Sequence, residues 1–100
     1  MTYILQIDFP ITGPFGIEMT ETFSELARSI TKEPGFLWKI WTENENTQEA
    51  GGIYAFTTEQ DAQNYLTMHT QRLIQLGITD SKHKIFKVND GLTKITHKHF

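Results

Sequence analysis

The chain has 100 residues, a net charge of −3, 38% hydrophobic and 21% charged residues. That length and balance predict one globular domain, residues 1–100, rather than a disordered segment, and the basic residues are too scattered for a phosphate-binding stripe. Without any cysteine, the chain has no disulfide, thiolate nucleophile or cysteine-based zinc site. Its aromatic content of 12% exceeds the needs of a minimal core and implies either a ligand pocket or a subunit interface. The amino terminus lacks the basic region of a signal peptide. No apolar run approaches the ~20 residues of a membrane span. The expectation is therefore a cytoplasmic protein with neither membrane nor nucleic-acid partners.

Tyr3 to Phe9 alternates as a strand, with Tyr3, Leu5, Ile7 and Phe9 on one face and Ile4, Gln6 and Asp8 on the other. The PITGPFG segment, residues 10–16, holds two prolines and two glycines and predicts a loop. From about Ile17 to Lys32, Met19, Phe23, Leu26, Ala27 and Ile30 form one stripe at the helical period, and Pro34-Gly35 ends it.

A second strand is expected over about Phe36–Glu43. Strict alternation puts Phe36, Trp38, Ile40 and Thr42 on one face, and Leu37, Lys39, Trp41 and Glu43 on the other. After a polar turn at Asn44–Gln48, a third strand covers about Ala50–Phe56. Its Gly51-Gly52 pair reads as a bulge or close backbone approach. Thr58 followed by Asp61 resembles a capping box at the start of a second helix. The apolar stripe there is Ala62, Tyr65, Leu66, His69, Leu73 and Leu76, and Gly77 reads as a left-handed cap. A fourth strand follows over about Lys82–Val88. In the tail, Leu92 and Ile95 could seat a short final element.

The order β-α-β-β-α-β predicts an α+β, ferredoxin-like fold: a four-stranded antiparallel sheet with both helices on one face. Trp38 and Trp41 alternate sides, so one tryptophan faces away from the helices. The simplest cover for it is the sheet of a second copy, giving a sheet-on-sheet homodimer. Burying one such ring face stabilises by roughly 4 kcal/mol before association costs.

Candidate site residues follow from chemistry at unusual places. His69 stands where a leucine would pack better, and its pKa near working pH suits a base or an orienting group; the plainer alternative is a buried, hydrogen-bonded histidine. Trp38, Trp41 and Tyr54 could line an aromatic pocket or simply pack in core and interface; with one tryptophan to the pocket and one to the partner subunit, Trp38 is assigned to the pocket side because Phe36 and Ile40 share its face. Tyr65 lies one helical turn before His69. Arg72 could clamp a substrate oxygen or lie on a solvated helix face. Phe15, in GPFG, reads as a lid or pocket rim, since that loop lacks the phosphate-binding glycine pattern. His97 and His99 make a weak, incomplete metal pattern, so no metal site is expected. The acids Glu43, Glu45 and Glu49 surround a polar turn where carboxylates are usually solvated.

GPFG, EPGFLWKIWTE, EAGGIYAF and a helix of pattern YL-xx-HT-xRL-xx-LG together resemble the YdhR-type monooxygenases. Those are small dimeric α/β-barrel proteins similar in fold to the antibiotic-biosynthesis monooxygenases. The resemblance runs from the first strand to Val88-Asn89. It implies oxidation of a small aromatic, phenolic, quinol- or polyketide-like substrate by O₂ with no metal, haem or flavin cofactor. In that reading His69 is base or orienter, and Tyr54, Tyr65 and Trp38 position the ring. A non-enzymatic dimeric binder of a small apolar ligand is the alternative. Haem degradation, known among similar barrels, fits less well: Tyr54 stands where a tryptophan is expected, and Gln6 where an asparagine is.

Overall fold

The computed structural model describes residues 1–97. Its elements are β1 (Tyr3–Pro10), α1 (Gly16–Ile30), β2 (Phe36–Asn44), β3 (Glu49–Phe56), α2 (Glu59–Gln75), β4 (Lys82–Lys87) and α3 (Asp90–Thr96). The four strands form one antiparallel sheet in the order β2-β3-β1-β4. This is the ferredoxin-like βαββαβ arrangement, followed by one short helix.

Alternation in β1 behaves as expected: Leu5 and Ile7 are buried, while Gln6 and Asp8 face solvent. Leu5 and Ile7 join Tyr54 and Phe56 of β3 and Ala62, Tyr65, Leu66 and Leu73 of α2 in a single core, closed at one end by Ile30 of α1. Each such aliphatic side chain stabilises the fold by about 2 kcal/mol. The Thr58 hydroxyl caps α2 by accepting from the Asp61 N–H at 3.0 Å, and Gly77 beyond its end has φ +86°.

Two features differ from the sequence expectation. In β2 the register shifts between Phe36 and Trp38: Phe36 lies opposite Phe56, whereas Trp38 lies opposite Ala55. Leu37 is thus left out of the pairing, and the alternation slips by one residue. Phe36 therefore joins the core, meeting the Phe56 ring edge-on at 6.2 Å. Trp38 and Ile40 lie on the opposite face, away from the helices, and Lys39 and Trp41 face them. The assignment of Trp38 to the pocket side is corrected accordingly. The tail does form a short helix, capped where Asn89 accepts from the Leu92 N–H, yet Leu92 and Ile95 remain exposed.

Gly51-Gly52 marks close approach rather than a bulge. A Cβ on Gly51 would overlap the Ile7 carbonyl of β1, and one on Gly52 would meet Lys39 Cε and the Tyr54 ring. Gly52 therefore leaves the room in which the Lys39 side chain crosses the sheet. No helix among the described residues is long and apolar enough to cross a membrane.

Candidate functional site

The site grows from the buried faces of β3 and α2. Tyr54 and His69 are both almost fully buried. Their polar atoms face each other, with Tyr54 Oη 3.4 Å from His69 Nε2. On the other side of the imidazole, Arg72 Nε donates to His69 Nδ1 at 3.2 Å, and the same guanidinium donates to the Tyr65 hydroxyl at 3.5 Å. Spacings of three and four along α2 bring Tyr65, His69 and Arg72 together. The Tyr65 and His69 rings stack at 5.2 Å, and Tyr65 packs on Tyr54 at 5.0 Å. No buried side-chain polar atom among the described residues lacks a partner.

These contacts decide the imidazole's state. A guanidinium only donates, so Nδ1 carries a lone pair and the ring proton resides on Nε2, aimed at Tyr54. Burial, then the charges of Arg72 and Lys39, lower the His69 pKa from 6.5 to about 3. The ring is neutral at working pH, with its one lone pair committed to Arg72. The group it turns toward Tyr54 is the Nε2 side of the ring. Burial and the neighbouring Tyr65 push the Tyr54 phenol above its ordinary range, and burial raises Tyr65 as well. Both hydroxyls stay protonated at working pH.

Lys39 completes the group, and periodicity had not singled it out. It lies opposite Tyr54 in the sheet. Its Nζ sits 3.3 Å from the centre of the Trp41 ring and 4.5 Å from that of Tyr54. Burial, then Arg72, lower its pKa from 10.5 to about 7. The available signal was a lysine inside the apolar run FLWKIW, on a face whose direction the slip in β2 conceals.

Two spaces adjoin the group. A small hollow of about 50 Å³ is lined by Tyr54, His69, Lys39 and Trp41, with apolar residues of β1 and α1 closing it. A wider cleft of about 320 Å³ lies between α1 and the edge strand β2. The two share Met19, Phe23 and Trp41, and Phe23 stacks on Trp41 at 6.3 Å. The inner hollow suits a molecule of a few atoms. The ligand-sized space is the cleft, which matches the lower end of the usual range for small-molecule sites.

Of the residues proposed from sequence, Tyr54, Tyr65, His69 and Arg72 come together, with Tyr54 and His69 at the hollow and the other two behind them. Trp41 takes the wall position expected of Trp38. Phe15 is half-buried at the N-cap position of α1 and lines neither space. The first N–H of that helix, on Gly16, donates to the chain's own Glu43 carboxylate at 2.8 Å, so the GPFG turn is occupied internally. Among the described residues no cluster of three or more histidines and acids could hold a metal ion. His97 is exposed, and His99 lies outside the described residues.

Comparison with known proteins places this geometry in context. Residues 4–99 match the family model described as "Putative mono-oxygenase ydhR". No curated protein matches the chain. Among solved structures, one similar fold is a mutant of SnoaB, a cofactor-independent oxygenase from Streptomyces nogalater. It has 15% identity, covers 88% of this chain and 93% of that one, and gives a TM-score of 0.64. Another is a monooxygenase from the gene ActVA-Orf6 of Streptomyces coelicolor, in complex with the ligand nanaomycin D. There the identity is 18%, 87% of each chain is covered and the TM-score is 0.59. At such identities the likeness is one of fold.

Proposed function

Because the chain belongs to the ydhR mono-oxygenase family, we propose that it oxidises a small phenolic or quinol-like substrate with O₂, using no metal, haem or flavin. The observation that carries this reading is a set of hydrogen-bonded side chains, Tyr54 and His69 at a largely apolar hollow that Lys39 also lines, with Arg72 and Tyr65 behind them. An ionised phenol can pass an electron to O₂ directly. For a phenol, recombination at the ring carbon places one oxygen atom in the quinone product, and the other leaves as water with the two hydrogens lost; a quinol, which already carries both oxygens, passes its two hydrogens to O₂, which leaves as hydrogen peroxide. The protein then has to hold the ring, stabilise the oxyanion and keep water out. Trp41 and Phe23 offer the ring a stacking surface. Tyr54 offers the oxyanion a neutral donor, and His69 is the positioning residue that fixes it.

The test is O₂ uptake with a panel of quinols. Turnover above the buffer rate is expected, with His69→Ala lowering kcat about 100-fold through misplacement of Tyr54 and raising KM far less. His69→Asn, which can still accept from Arg72, is expected to recover part of the loss. Uptake equal to the buffer blank for every quinol would sink the reading. The placement of the ligand-sized cleft outside the hydrogen-bonded cluster favours a second reading, a binder that holds an apolar ligand without turnover; such a ligand would co-purify unchanged.

We further propose that a second copy covers the free sheet face. Ile40 and Phe86 are 44% and 48% exposed there, beside Trp38 and Ile53, while both long helices lie on the other face. An apolar patch of this kind is a liability for a monomer and a natural self-complementary interface for a two-fold dimer.

A further inference from the structure

Lys39 has three N–H donors. Among the described residues it has neither a hydrogen-bond acceptor nor a carboxylate; its contacts are the faces of Trp41 and Tyr54. Arg72, whose charge acts on Lys39, also lacks a carboxylate and spends its donors on His69 and Tyr65. Facing Lys39, β3 supplies Tyr54, α2 supplies His69 with Arg72 behind it, and β1 and α1 supply apolar side chains alone. Lys39 thus lines a hollow whose described lining contains no acid, with the Arg72 guanidinium behind its His69 wall. A buried cation without a counter-ion is costly, and such a site favours an anion. At the same hollow the imidazole lone pair is taken by Arg72 and the Tyr54 phenol, raised by burial, is protonated. Among the described residues that line it, the Lys39 amine is the proton acceptor left.

We propose that Lys39 takes the proton from an acidic ligand hydroxyl, a phenol or an enol, and then holds the resulting oxyanion as its ammonium partner. This rests on the oxygenase reading for its ligand class and assigns within it the base that His69 cannot supply. The step is a proton transfer only: ligand R–OH and the Lys39 amine become R–O⁻ and the Lys39 ammonium, and no electrons move. Burial and Arg72 bring the amine to about 7, so a large share of it is neutral and able to accept at working pH. Tyr54, fixed by His69, is the second donor to the same oxyanion.

The test uses the whole protein and 4-nitrophenol, whose neutral and ionised forms absorb at different wavelengths, under anaerobic conditions and below the phenol's own pKa. Wild-type protein is expected to bind it in the ionised form. Lys39→Met is expected to lower the ionised-to-neutral ratio of bound phenol by about tenfold or more, the size of effect an adjacent opposite charge exerts. Lys39→Arg keeps a cation and can hold the anion, yet cannot accept a proton. It is expected to retain the ionised spectrum while losing the rise in kcat/KM through about pH 7 that a base of this pKa imposes on turnover. A neutral bound phenol in wild type, equal ionisation in Lys39→Met, or no binding of 4-nitrophenol overturns the proposal. Ionised binding in wild type is read without any variant, so a misfolded Lys39→Met would not shield the proposal. Quinol-dependent O₂ uptake whose pH profile is unchanged by Lys39→Met would sink the role of Lys39 and leave the oxygenase reading standing. Lys39-dependent ionisation with no O₂ uptake would do the reverse.

Discussion

His69 and Lys39 are two basic groups kept partly or wholly uncharged by the fold, and that has a measurable consequence. His69 has a pKa of about 3 in the folded chain against 6.5 in a free one. Between those values the unfolded chain binds one more proton than the folded chain, so stability rises with pH across that window and is lost as pH falls through it. Replacing His69 with phenylalanine should flatten this acid limb in denaturant titrations at several pH values. Lys39 acts in the same sense higher up: with about 7 folded against 10.5, it makes stability rise again between neutral and alkaline pH, a limb that Lys39→Met should remove. Arg72→Ala should move the His69 pKa upward, because one of the charges that depress it is gone; an NMR titration of the imidazole reads this directly. His69 was visible in the sequence because a polar residue interrupts an apolar helical stripe. Lys39 was not, because its face depends on the strand register.

At the level of elements, the paired glycines of β3 hold different jobs, and alanine separates them. At Gly51 the added Cβ meets the backbone of β1, which cannot move without breaking the ladder. Gly51→Ala should cost about 3 kcal/mol, at the upper end for overpacking, in a denaturant midpoint. At Gly52 it meets the flexible end of Lys39 and the Tyr54 ring. Gly52→Ala should cost about 1 kcal/mol yet displace the amine, letting its pKa climb back toward that of an exposed lysine. Helices and caps were readable because they rest on local chemistry: Thr58, Gly77 and the stripe of α2 from Ala62 to Leu73 sit where the sequence put them, while Leu76, expected in that stripe, is the exposed C-cap. The break in β2 was unreadable, since FLWKIW carries no glycine or proline at the point where the pairing slips.

For the molecule as a whole, the free sheet face makes the sharpest statement. If a second copy covers it, Ile40→Lys places a charge in the interface and should convert the assembly to monomers in sedimentation equilibrium, with the fold intact by circular dichroism. A wild-type chain that sediments as a monomer at micromolar concentration would refute the dimer. The order of elements, the sheet class and the family were open to a reader of the residues alone, because hydrophobic period, capping and turn chemistry act over a few neighbours. Which tryptophan faces the helices, and that Lys39 and His69 meet at Tyr54, were decided only by the packed structure. Those properties depend on one shifted strand register and on side chains brought together from β2, β3 and α2, and distance in three dimensions has no signature in local sequence.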